Sequence, residues 1–179
     1  MNTIECIRAR RSVRKFTSQP VPRAVLEEVV AAAAYAPSWK NTQISRYLAI
    51  EGRAAIDAIA ANYAAFNQRT LSTAPLLIAQ CCVKQRSGYE RDGSFSTDRG
   101  DGWQMYDCGI AAQTFCLAAH EHGLGTVILG IFDRPALEQH LQLPENQELV
   151  ALIAVGYPDE APSAPRRKGV ADLLTYADA

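Results

Sequence analysis

Residues 107–122 are apolar nearly all round: Ile110, Ala111, Ala112, Phe115, Leu117, Ala118 and Ala119 leave no broad polar face, and Gly123 stands where a helix C-cap belongs. A helix of that kind has to be covered on most sides, so the sequence predicts a central buried helix with the rest of the chain packed around it. Leu76 to Val83 is an apolar run of strand length, and residues 47–51, 126–130 and 149–156 read as further strands.

Shorter helices separate these strands. Thr3 can cap one carrying Ile4 and Ile7, and Pro20 and Pro22 introduce another with Leu26, Val29, Val30 and Ala33 at i, i+3, i+4 and i+7, ending before Pro37. Residues 53–63 show Ile56, Ile59 and Ala60 on one face, with a weaker continuation to Thr70, and Asp133 and Pro135 start a helix through Leu141. Residues 84–102 are polar and aperiodic and read as a mobile loop. The tail, residues 157–179, has Pro158, Pro162 and Pro165 ahead of Arg166-Arg167-Lys168, so it is extended. This pattern implies an α+β or α/β layered domain with a small sheet, parallel or mixed being open, and 179 residues with 48% hydrophobic content suit one domain over 1–179.

Eighteen basic and nineteen acidic side chains give a net charge of −1, so no overall field attracts nucleic acid or an anionic membrane. No apolar run spans a bilayer and the first residues lack a secretory pattern, which points to the cytoplasm. Five cysteines, Cys6, Cys81, Cys82, Cys108 and Cys116, without CxxC spacing, imply reduced thiols. Cys116 and His120 stand at i, i+4, but no further ligands accompany them, so no metal is expected. Gly123-Leu-Gly125 follows a helix, precedes a strand and has Ile128 where a dinucleotide fingerprint needs glycine.

Against that neutral background two polar clusters stand out. Arg10-Arg11-Ser12-Val13-Arg14-Lys15-Phe16 offers cations and a hydroxyl, and Ala36-Pro37-Ser38-Trp39-Lys40-Asn41-Thr42-Gln43 offers amide and hydroxyl groups on a proline-stiffened turn. Together they suit a phosphorylated planar cofactor such as a flavin nucleotide, whose phosphate takes several charge-assisted hydrogen bonds, of about 1.5–3 kcal/mol each, which Arg10, Ser12, Arg166 and Lys168 could supply.

With Phe66-Asn67 ahead of Ala74-Pro75-Leu76-Leu77-Ile78, Gly123-Leu124-Gly125-Thr126 leading to Leu129-Gly130-Ile131-Phe132-Asp133, Val155-Gly156-Tyr157-Pro158 and Pro165-Arg166-Arg167-Lys168, the clusters fall in an order that resembles the nitroreductase family of FMN-dependent oxidoreductases. The resemblance spans nearly the whole chain. It implies a nitroreductase-like α+β fold: a small central mixed sheet flanked by helices, with the C-terminal tail reaching a partner subunit. It also implies bound FMN, NADH or NADPH as donor, and ping-pong transfer through flavin N5 to a nitroaromatic, quinone or activated alkene.

By that resemblance Arg10, Arg11 and Ser12 meet the flavin phosphate together with Arg166 and Lys168, and Arg14 and Asn67 face the polar edge of the ring. Leu129 and Gly130 run past N5, and Pro37, Ser38, Trp39 and Asn41 come from the second subunit of a homodimer. No catalytic side chain is implied. The loop 84–103, with Tyr89, Phe95 and Trp103, would face the acceptor as a lid or lie free on the surface. Two departures stand out: Ile44-Ser45 where many relatives have Pro-Trp, and Thr70 where some have lysine. The same residues would also serve a relative that uses reduced flavin with oxygen, to cleave flavin or remove halogen, or a non-catalytic FMN-binding protein.

Overall fold

The computed structural model describes residues 2–177, so Asp178 and Ala179 of the expected tail lie outside it. Four strands, β1 (Ser45–Glu51), β2 (Leu76–Val83), β3 (Gly125–Leu129) and β4 (Gln147–Gly156), form one sheet in the order β1-β2-β4-β3. The α+β class is as expected. Every neighbouring pair of strands is antiparallel, so the sheet is antiparallel, not the mixed one expected; a parallel bridge joins Ser12 to Thr126 beside β3 but adds no strand.

The alternation of β2 sorts the core into two layers. Leu77, Ala79 and Cys81 face α3 (Arg53–Asn62), α4 (Gln68–Leu71) and α6 (Arg134–His140), packing with Ile56, Ile59, Leu71, Leu137 and Leu152. Leu76 and Ile78 face α2 (Arg23–Ala33) and α5 (Gly102–Glu121), packing with Val29, Ala33, Phe115, Cys116 and Ile153. Gln80 falls in this strand's buried run; its amide nitrogen donates to the Cys108 carbonyl of α5 at 2.9 Å, which offsets part of the cost of burying it, while its Oε1 has no partner among the described residues.

Helix α5 begins at Gly102 rather than 107, because Trp103 and Gln104 pack inward from the first turn. It is central but not wrapped on all sides. Gly102, Met105, Tyr106, Gly109 and Gln113 form an exposed stripe at helical spacing. At the N-terminus, Asn2 rather than Thr3 caps α1 (Thr3–Ala9), accepting from the Glu5 amide in a capping box, and Ile4 and Ile7 of α1 are exposed. The weaker continuation after α3 breaks at Tyr63 into a 3-10 turn, Ala65–Asn67, and α4.

Residues 84–101 are irregular yet held: Tyr89 bridges Phe95, and Trp103 Nε1 donates to Thr97 at 2.8 Å. The tail runs extended along residues 15–17 and then outward, interrupted by the single turn α7 (Val170–Leu173).

Candidate functional site

The 10–16 segment leaves α1 extended and lies along β3. Val13 N–H donates to the Thr126 carbonyl at 3.0 Å, Thr17 N–H to that of Tyr157 at 2.9 Å and Asp159 N–H to that of Lys15 at 2.9 Å. Two glycines paired in the β3–β4 register make this seat. A Cβ on Gly125 would come within 2.8 Å of Val13, and one on Gly156 within 2.6 Å of Pro75. Glu160 accepts from the backbone amides of Arg14 and Lys15, fixing the tail against the segment.

With the backbone held, Arg10, Arg11, Ser12 and Arg14 line a polar cleft of about 400 Å³ whose other wall is Pro162, Ser163, Pro165 and Arg167 of the tail. Arg10 Nε is buried without a hydrogen-bond partner among the described residues, and such a donor calls for an acceptor. Arg11 is partly engaged, donating to the carbonyls of Arg8 and Arg10 at the end of α1. Guanidinium and hydroxyl donors in this arrangement fit a phosphate. Of the three consecutive tail cations, Arg167 lines the cleft, while Arg166 and Lys168 stand exposed beside it. Neighbouring residues of an extended chain point to opposite sides, which spacing alone could not assign.

Asn67 is buried and its amide donates to the Ile131 carbonyl at 2.7 Å, while Asp133 N–H donates to the Tyr63 carbonyl at 2.8 Å. These two bonds tie the exit of β3 to the 63–67 turn. Leu129 is buried there, whereas Gly130 is exposed and a Cβ on it would meet nothing within 4 Å, so its backbone is open to a flat ligand. Arg14 keeps one weak contact, to the Ser12 carbonyl at 3.4 Å, and is otherwise exposed. Thr70 is buried.

The second cluster lies elsewhere. Pro37 and Ser38 line a mostly apolar pocket of about 310 Å³ between α2, β1 and α5, with Leu26, Val30, Tyr47 and Asp107. Trp39 and Asn41 belong to a 3-10 turn, and Trp39 packs on Trp103 with ring centroids 4.7 Å apart. This turn leads into β1 while the cationic segment flanks β3, so the clusters occupy opposite edges of the sheet. Three inter-strand spacings of roughly 4.8 Å separate those edges.

Asp107 and Ser87 escaped the reading of the sequence. Asp107 looked like the start of a helix; with α5 beginning at Gly102 it is an interior carboxylate, 4% exposed. An acidic residue inside an apolar helical run was the available signal. Burial pushes the Cys81 thiol up to about 12 and also raises Cys116, so these thiols stay protonated at neutral pH. Among the described residues no group of His, Cys, Asp and Glu could hold a metal, and no helix is long and apolar enough to cross a membrane.

Comparison with known proteins places this geometry. The family model described as the Nitroreductase family matches residues 7–157. The NADPH-flavin oxidoreductase of Vibrio harveyi is 29% identical over 174 residues, covering 93% of this chain and 70% of its own length. The chloronitrobenzene nitroreductase of Comamonas testosteroni is 28% identical over 197 residues, with 88% and 87% covered. A solved protein from Desulfovibrio desulfuricans in complex with FMN is 28% identical, covers 99% of this chain and 98% of its own, and superposes with a TM-score of 0.80.

Proposed function

The chain belongs to the nitroreductase family of oxidoreductases, and on that premise we propose that it is an FMN-dependent NAD(P)H oxidoreductase working as a homodimer in the cytoplasm. The polar cleft carries the reading: Arg10, Ser12 and Arg167 converge there with an unpaired buried guanidinium nitrogen. These residues would hold the flavin phosphate, assisted by Arg11 and by Arg166 and Lys168 on the same tail stretch. Arg14 would face the polar ring edge and offset negative charge developing there, and Asn67 would hold the 130–132 segment under the ring. The open backbone at Leu129 and Gly130 would admit the ring's centre. When bound, FMN would accept a hydride from NADH or NADPH and then, in ping-pong order, reduce an electron-poor planar acceptor such as a nitroaromatic, quinone or activated alkene.

A second copy enters the proposal for a geometric reason. Pro37, Ser38, Trp39 and Asn41 stand at the sheet edge away from the cleft, so one chain would present half of a site that needs both clusters. The exposed α5 stripe supports this. Met105 and Tyr106 are uncovered apolar groups, and Gly109, where a Cβ would meet nothing within 4 Å, leaves room for a close helix. The loop 84–101, with Tyr89 and Phe95, and Trp103 beside it would border the acceptor.

The test is an absorbance spectrum of the purified protein with FMN, followed by anaerobic NADH and then NADPH, with light scattering on the same sample. Flavin bands that bleach with either donor, on a dimer, are expected. A protein that stays colourless after FMN is added would overturn the cofactor assignment, and a monomer with stoichiometric FMN would overturn the shared site.

A further inference from the structure

The turn after Ser38 is held in a shape its own sequence does not favour. Lys40, Asn41 and Gln43 have φ of 44°, 53° and 48°, left-handed values that Asn adopts readily but that are unfavourable for Lys40 and Gln43. The turn has four internal bonds: Asn41 N–H to the Ser38 carbonyl at 3.0 Å, Thr42 N–H to that of Trp39 at 2.9 Å, Gln43 N–H to Ser38 Oγ at 3.0 Å and Gln43 Nε2 to Asn41 Oδ1 at 3.0 Å. The fixed points come from distant parts of the chain.

Asp107 supplies them from the second turn of α5. One carboxylate oxygen, Oδ2, accepts from Trp39 N–H at 2.9 Å and from the Ser87 hydroxyl at 2.5 Å. Ser87 is fully buried, and its Oγ lies 2.6 Å from Thr42 Oγ1. The carboxylate thereby grips the turn near both ends, at Trp39 directly and at Thr42 through Ser87. Hydrogen bonds to a carboxylate are roughly twice as strong as neutral ones, and without it a part-buried amide and a buried hydroxyl would lack their acceptor.

We propose that Asp107 is a positioning residue that, through Trp39 N–H and the Ser87–Thr42 hydroxyl pair, holds the 38–43 turn in the left-handed form that Ser38 and Asn41 need to meet a flavin on a second copy. The flavin clause rests on the proposed function; the hold on the turn does not. The role assigned to Asp107 is exerted through the turn.

The chain has two tryptophans, Trp39 and Trp103, and their rings pack on each other at 4.7 Å with a 42° tilt, so near-ultraviolet circular dichroism reports the seating of the turn without any flavin. Asp107→Leu fills the space and accepts nothing; Asp107→Asn returns a carbonyl oxygen to both donors. The Leu variant is expected to flatten the tryptophan signal, speed hydrogen exchange at the Trp39 amide about tenfold and weaken FMN binding about tenfold, with the Asn variant recovering most of each. A Leu variant that keeps the wild-type tryptophan signal and exchange overturns the proposal, as does an Asn variant no better than Leu. If Asp107→Leu does not fold, Ser87→Ala decides: faster exchange around Thr42 supports the link and unchanged exchange overturns it. Should wild-type protein fail to bind FMN, the flavin reading falls, while the tryptophan and exchange readouts still decide the role of Asp107.

Discussion

The two polar clusters sit at opposite edges of one sheet and are built in opposite ways. Residues 10–16 are pinned through the backbone, by bonds to β3 and to the tail, and by the glycine pair beneath them; Arg10 Nε stays unpaired and Arg14 nearly so. Residues 38–43 are pinned through side chains. Ser38 and Asn41 accept from Gln43, Thr42 meets Ser87, and Lys40 pairs with Glu90 at 2.7 Å. The first segment leaves Arg10 Nε and most of Arg14 uncommitted, although Arg11 caps carbonyls of α1 and Lys15 pairs with Asp159, whereas the second commits its polar groups to each other and to partners from distant parts of the chain.

The largest expected effect strikes what both clusters share. Phe115 is fully buried under the sheet and stacks on Tyr47 with centroids 5.3 Å apart. Phe115→Ala should cost about 3–5 kcal/mol by denaturant unfolding and weaken both edges together. Next comes Arg10→Ala, which should raise the FMN dissociation constant roughly tenfold to a hundredfold in a fluorescence titration and reduce its salt dependence, while the tryptophan dichroism stays at the wild-type value. A change in that dichroism would break the comparison, because it would mean that the two edges are not independent.

Arg14→Ala should make the potential of bound flavin more negative by some tens of millivolts in a redox titration, since a cation at the ring edge favours the reduced form. An unchanged potential would remove Arg14 from that edge. The smallest effect belongs to Tyr47, in the pocket beneath the second cluster. Burial pushes its phenol up to about 12. The ordinary value is about 10, so the folded chain holds the proton more tightly than the unfolded one, and stability present below about pH 10 is lost between about pH 10 and 12. Tyr47→Phe should abolish that alkaline loss. At pH 7 it should change stability by less than about 1 kcal/mol, because the hydroxyl makes at most a weak contact with Ser45 and no well-formed hydrogen bond among the described residues.

Much of the frame was legible. The run 76–83 became β2 with the expected bounds, α2 and α3 followed their apolar periodicity, α6 followed its start signals at Asp133 and Pro135, and Gly123 took the left-handed position after α5 with φ of 74°. Those features depend on contacts that repeat every two to four residues, the range over which pattern carries information. The start of α5 was not legible, because Gly102-Trp103-Gln104 resembles the polar loop before it until Trp39 and Gln85 are known to be its partners. The expectation of a mobile loop at 84–102 met the same difficulty: the bonds that hold it come from α5 and from the turn at Thr42.

By itself, the sequence determined the residue types that can hold a phosphate, the strands and helices that carry them and the order that resembles the family, since these follow from local chemistry and short-range period. Only the tertiary structure decided that Arg167 lines the cleft, that the two clusters lie on opposite sheet edges, and that Asp107 meets Trp39 across 68 residues of chain. Strand order and the packing of α5 bring such groups together, and those depend on the whole core closing at once, which no window of sequence contains.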